Sequence, residues 1–186
     1  MAPQPADNAR QWGAGQGKGT NAGFDELAIY ATALSPTDVQ GHYRLATTSY
    51  AQAVLADGPL AYWRLNEPSG PTAADSSPAR ADAIYEGGIA YGRGGALVAA
   101  GDRDGAARLD DASIAVPVSV DPWGSDFSLE LWLRPRAAPP PGDMYAIFLR
   151  EQYLVHGFRT GWDASYRPVF WTSESGGSAS VVAQAA

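Results

Sequence analysis

Acidic residues carry most of the chemistry this chain could perform. Asp25 and Glu26 stand side by side, and Asp75, Asp82, Asp102, Asp104, Asp110 and Asp111 fall in stretches that read as turns. A paired carboxylate can hold a metal ion or the hydroxyls of a sugar. It can also cap and orient a strand by accepting backbone amides, and binding groups concentrate on loops rather than inside strands. Calcium takes six to eight oxygens from loop carboxylates and carbonyls. Asp102-Arg103-Asp104-Gly105 has the opening of a calcium loop, so Asp75, Asp102 and Asp104 are the candidate metal ligands. The Asp-x-Asp pattern does not run on to a bidentate Glu, and solvated turns are the alternative.

Aromatic rings are the second resource. Tyr62, Trp63, Trp132 and Trp171 could stack on sugar faces, with their N–H and O–H groups reaching hydroxyls. Trp63 and Leu65, and Leu129, Leu131 and Leu133, alternate with the period of a strand that must bury one face. Trp63 therefore belongs to the core, whereas Trp132 is out of phase with the three leucines and belongs to the opposite face. Trp12, Trp123 and Trp162 lie among glycines or prolines and are the candidate exposed ligand contacts.

Other reaction types lack their parts. His42 and His156 are the only histidines, there is no cysteine, and no cluster has zinc spacing. No Gly-x-Ser-x-Gly elbow occurs. Gly13 to Thr20 is glycine-rich, but Gly19 separates Lys18 from Thr20, which breaks the phosphate-loop spacing. The net charge of −7 argues against nucleic acid, which needs a basic face. No run approaches the roughly 18 apolar residues of a membrane span, so no membrane insertion is expected, and residues 1–11 lack the apolar core of a signal peptide. The 186 residues suffice for one domain or slightly more.

The elements that would position these groups are mostly strands. Leu27 and Ile29 alternate with Ala28 and Tyr30. Ser35 then reads as an N-cap, with Pro36 at the first helical position and Asp38 completing a capping box. Gly23-Phe24-Asp25-Glu26-Leu27-Ala28-Ile29-Tyr30 with the helix ending in His42-Tyr43 resembles the C-terminal ending of laminin-G-like, concanavalin-A-like jelly-roll domains. Tyr50 to Glu67 is similar to the opening of the same family: a short helix, the turn Asp57-Gly58-Pro59, and a strand Tyr62-Trp63-Arg64-Leu65. The likeness runs on through Asp75-Ser76-Ser77 and Ala83 to Gly88 to Phe127-Ser128-Leu129-Glu130-Leu131-Trp132-Leu133-Arg134-Pro135, and fades after Pro139.

The resemblance implies an all-β fold, an antiparallel jelly-roll β-sandwich with one or two short helices. Its order implies residues 1–45 as the closing strand and helix of one such domain, 46–49 as a link, and 50–186 as the beginning and middle of another. The N-terminal segment is expected to pack on a sandwich through Leu27, Ile29, Leu34, Val39 and Tyr43, within this chain or on another, so other protein chains are expected partners. Family members often hold a rim calcium, which makes calcium the one cofactor expected.

Related glucanases carry paired acids on the strand of Glu130. Retaining hydrolysis needs two carboxylates roughly 5–5.5 Å apart, but the same-face neighbours of Glu130 are Ser128 and Trp132. No enzyme is expected. Two functions follow: an adhesion or carbohydrate-recognition module that binds a glycan or other cell-surface ligand, or a structural segment of a phage minor tail or cell-surface fibre. Both place the chain outside the cell, at its surface or on a virion.

Overall fold

The computed structural model describes residues 10–12, 14–15, 18–45, 49–97, 105–122, 126–141, 144–152, 156–174 and 177–182. The chain is all-β and antiparallel, with two short helices, as the sequence predicts. In chain order the elements are β1 (Arg10–Trp12), β2 (Ala14–Gly15), β3 (Lys18–Tyr30), α1 (Pro36–Arg44), α2 (Tyr50–Ala56), β4 (Ala61–Trp63), β5 (Thr72–Ala73), β6 (Ala83–Gly94), β7 (Gly105–Val116), β8 (Ser128–Pro135), β9 (Met144–Gln152), β10 (His156–Asp163), β11 (Pro168–Glu174) and β12 (Gly177–Val182). They form one curled sheet in the order β12-β11-β10-β9-β1-β7-β3-β2, with β8 and β4 also paired to β3, and β6 to β7.

Strand β3 is the hub. Residues 20–24 pair with β7, residues 27–29 pair with β4, and β8 runs along it from Ala22 to Tyr30. The N-terminal segment thus enters the sheet of its own chain. Its register with β8 slips between Asp25 and Ala28, and Glu26 there has a left-handed φ of 54°. One extra residue in a strand inverts the side-chain phase. Ala22 and Phe24 before the bulge, and Leu27 and Ile29 after it, therefore face the same interior.

The same device recurs in β7. Ala107 and Leu109, then Ala112, Ile114 and Val116, all reach that interior. Asp111 between them has a φ of 52°. Asp110 and Asp111 are thus not turn residues: they mark a bulge inside a twelve-residue strand. Gly87 of β6 faces it with φ +87°, and a Cβ there would meet the Asp111 carbonyl oxygen at 3.0 Å. Only glycine fits that approach without strain.

The larger core gathers Phe24, Leu27, Ile29, Trp63, Leu109 and Ile114 with Phe158 and Trp162, and Leu129, Leu131 and Leu133 pack against it. Trp63 is fully buried, and its indole N–H donates to the Ala81 carbonyl at 3.0 Å. A smaller core on the opposite face joins Ala28, Tyr30, Tyr62 and Leu97 to Tyr50 and Val54 of α2, with Trp132 packed against it. Ser35 caps α1 as expected, and its hydroxyl accepts the Asp38 amide while Asp38 accepts the Ser35 amide.

One expectation for α1 fails. Val39 is 52% and Tyr43 69% exposed, and the buried residue of the helix is His42. The apolar cover of the smaller core comes from α2, and α1 turns its one histidine inward to meet the half-buried Glu130 and the more exposed Asp57. Among the described residues no helix is long and apolar enough to cross a membrane.

Glu26 is fully buried. The Tyr62 hydroxyl donates to one of its carboxylate oxygens, and the Arg64 guanidinium donates to the other at 3.2 and 3.3 Å. Burial outweighs these donors and pushes its pKa from 4.5 up to about 7. The folded state therefore holds the proton more tightly than the unfolded chain. This contribution is fully present below about pH 4.5 and is lost as pH rises through about 7.

Two outcomes follow from the packing. Trp63→Ala should lower the unfolding free energy by about 3–5 kcal/mol, read from urea titration; an unchanged midpoint would mean that the ring is not part of the core. Glu26→Gln should flatten the fall in stability between pH 5 and pH 8, a term of order 3 kcal/mol at most. Parallel pH profiles of variant and wild type would show that Glu26 does not titrate in that window.

Candidate functional site

On the face opposite the larger core, β3, β6, β7 and β8 surround a cavity of about 500 Å³. Strand alternation builds it. Phe24, Ala107 and Leu133 point to the interior, so Asp25, Arg108, Trp132 and Arg134 point the other way. The turn after β6 closes one side with Gly94, Gly95 and Ala96, and Arg93 and Arg136 complete the rim. Asp25 holds that turn, because one of its carboxylate oxygens accepts the Ala96 amide at 2.7 Å. The adjacent acids therefore serve different partners: Glu26 ties down Tyr62 and Arg64, and Asp25 shapes the cavity.

The cavity is basic although the chain carries a net charge of −7. Arg108 reaches Asp110 at 3.3 Å, and its Nε–H is buried without an acceptor. Among the described residues no carboxylate pairs with Arg93, Arg134 or Arg136. The half-buried Trp132 is held in place from outside the cavity: Tyr43 stacks on it at 5.8 Å and Tyr50 meets it edge-on at 6.1 Å. A fixed indole, guanidinium groups and glycine backbone at one cavity can bind; the one carboxylate among the described residues of the lining, Asp25, is already hydrogen-bonded.

Beside the cavity lies a polar cluster that joins both helices to the sheet. His42 bridges two acids, with Nδ1 2.8 Å from Glu130 and Nε2 3.0 Å from Asp57. The hydroxyls of Tyr30 and Tyr50 donate to Glu130 at 3.0 and 2.9 Å. Burial first, and then the Glu130 charge, push both phenols well above their ordinary range. Both Glu130 oxygens are thus engaged. Sequence separation hid this arrangement, since its members come from β3, α1, α2, the turn after α2, and β8.

The residues singled out from sequence fare differently. Trp162 is 1% exposed, and its indole N–H donates to the Ala137 carbonyl at 3.1 Å. It is a core residue rather than an exposed contact, because β10 turns it into the larger core with Phe158. Trp123 lies outside the described residues, as do Asp102 and Asp104, and Trp12 lies in β1, with nothing described of its side chain. The Asp75 carboxylate accepts the amides of Tyr62, Ser77 and Ala81 and the Ser77 hydroxyl, all at 2.8–2.9 Å. It fastens the loop 75–81 to β4. Among the described residues no group of three or more His, Asp or Glu side chains could hold a metal ion.

The four arginines escaped sequence reasoning because they are scattered over three elements and a loop. The readable signal was Arg134-Pro135-Arg136, two cations on one face of a strand end in an acidic chain.

The His42 bridge has a measurable consequence. His42→Ala should cost about 2–3 kcal/mol in urea unfolding, since it strips a charged hydrogen bond from a half-buried carboxylate. An unchanged value would mean that Tyr50 and Val54 alone hold the helices. In comparisons with known proteins, no family model, no curated protein and no solved structure matches this chain.

Proposed function

We propose that the chain is a non-catalytic, laminin-G-like jelly-roll module that recognises carbohydrate at a cell surface or on a virion. The observation that carries this reading is the cavity beside Trp132, where a braced ring meets guanidinium donors and the backbone of Gly94 and Gly95. Sugars offer an apolar ring face and hydroxyl edges. An indole takes the first, and convergent polar groups take the second. Support for a non-catalytic role comes from the carboxylates. Hydrolysis of a glycosidic bond uses two acids flanking it, whereas Asp25 is the single acid in the described lining and is bonded to Ala96. Glu130 is committed to Tyr30, Tyr50 and His42.

A second reading is a structural segment of a virion or cell-surface fibre with no ligand of its own. It draws on Val39, Leu45 and Leu55, three exposed apolar side chains at or near the two helices that a neighbouring chain could cover.

A glycan array separates the two. The module reading expects saturable binding to a restricted set of glycans. Trp132→Ala should weaken it about tenfold or more, equivalent to about 1.4 kcal/mol, and Trp132→Phe should retain most of the affinity. Absence of any saturable glycan would leave the fibre reading, and binding untouched by both substitutions would move the site elsewhere.

A further inference from the structure

We propose that the cavity selects acidic sugars, those whose ring carries a carboxylate, through Arg93, Arg108, Arg134 and Arg136. The inference rests on the carbohydrate reading and deepens it. Four of the chain's twelve arginines line this one cavity, and among the described residues of the lining the single acid is Asp25, on a molecule whose net charge has the opposite sign. Arginine usually spends its charge on neighbouring acids, and here Asp110 meets only Arg108. The other three guanidinium groups have no carboxylate among the described residues.

Guanidinium is a planar fork of N–H donors that matches a carboxylate with two parallel hydrogen bonds, a geometry an ammonium cannot offer. Trp132 stands in the same lining, so a ring stacked there would carry its carboxylate within the arginine rim. The glycine backbone remains for hydroxyls.

The surrounding charge sharpens the argument. A chain at −7 repels anions at long range. An acidic ligand is therefore not steered to this protein; it is held at contact, within the Debye length of about 8–10 Å at ordinary salt. That favours a compact ligand end seated in the cavity over a long polyanion lying across the acidic surface.

The test uses the full chain in titration calorimetry with an oligogalacturonate, its carboxyl-reduced neutral form, and a sulfated oligosaccharide of equal length. The oligogalacturonate should bind at least ~10-fold more tightly than the neutral form, the size expected for hydrogen bonds to a charged group. Arg134→Gln and Arg136→Gln, both exposed and without acidic partners among the described residues, should each remove most of that preference with unchanged unfolding midpoints. Arg80→Gln, on a loop away from the cavity, should leave it intact. Equal affinity for acidic and neutral forms would overturn the inference while leaving the carbohydrate reading in place. A sulfated ligand that binds more tightly than the carboxylated one would overturn the carboxylate assignment. A preference that survives both arginine substitutions would overturn the site, and absence of binding to any of the three, with no hit on the array, would remove the carbohydrate reading as well.

Discussion

The bulge at Asp25-Glu26 is the constraint on which the rest of the structure depends. A regular strand could not place Ala22, Phe24, Leu27 and Ile29 in one core, because Leu27 lies three positions after Phe24, an odd step. The extra residue restores the phase, and its cost is a non-glycine residue held at φ 54°, of order 1–3 kcal/mol. The side chain offsets part of this cost by bonding Tyr62 and Arg64 across β4. The kink also allows β3 to change partner along one edge, from β7 to β4, while β8 keeps the other. The strand could not serve both partners without this break.

The cavity is a by-product of the same break. With Phe24 inward, Asp25 must face out, where it fixes the turn 94–97 through the Ala96 amide. That turn brings Leu97 into the smaller core and the glycine backbone to the rim. The basic lining arises from the outward phases of β7 and β8, which set Arg108 and Arg134 on the same face as Asp25. The bulge at Asp110-Asp111 reverses the phase of β7 beyond Arg108, so Ala112 returns to the interior.

The helices are fastened by polar as much as apolar contacts. Tyr50 and Val54 are buried under α2, but α1 buries only His42. Glu130, half-buried, is satisfied by two phenols and one imidazole, so its desolvation is matched by hydrogen bonds rather than left uncompensated. The cluster sits behind Trp132 and, with Tyr43 and Tyr50, fixes the ring that lines the cavity. Rigidity of this kind is what a preorganised binding face requires.

Local chemistry in the sequence was enough to determine the elements. Ser35, Pro36 and Asp38 determine where α1 starts, because capping is settled within four residues. The alternation of Leu129, Leu131 and Leu133 assigns β8 and sends Trp132 to the other face. All-β character follows from such patterns together. The phase reversals in β3 and β7 were partly legible, as apolar residues spaced by three rather than two, but a pair of acids reads as a turn as readily as a bulge. Only tertiary pairing decided between them, since a bulge is defined by the partner strand. Trp162 shows the same limit: its Gly-Trp-Asp setting suggested a surface, and pairing with β9 and β11 buried it. Apart from the pair Arg134 and Arg136, the site lay beyond local reading. Arg93 and Arg108 share no spacing with each other or with that pair, and the four charges take on meaning only where strand order sets them around one cavity, because electrostatic interaction depends on distance in space and not along the chain.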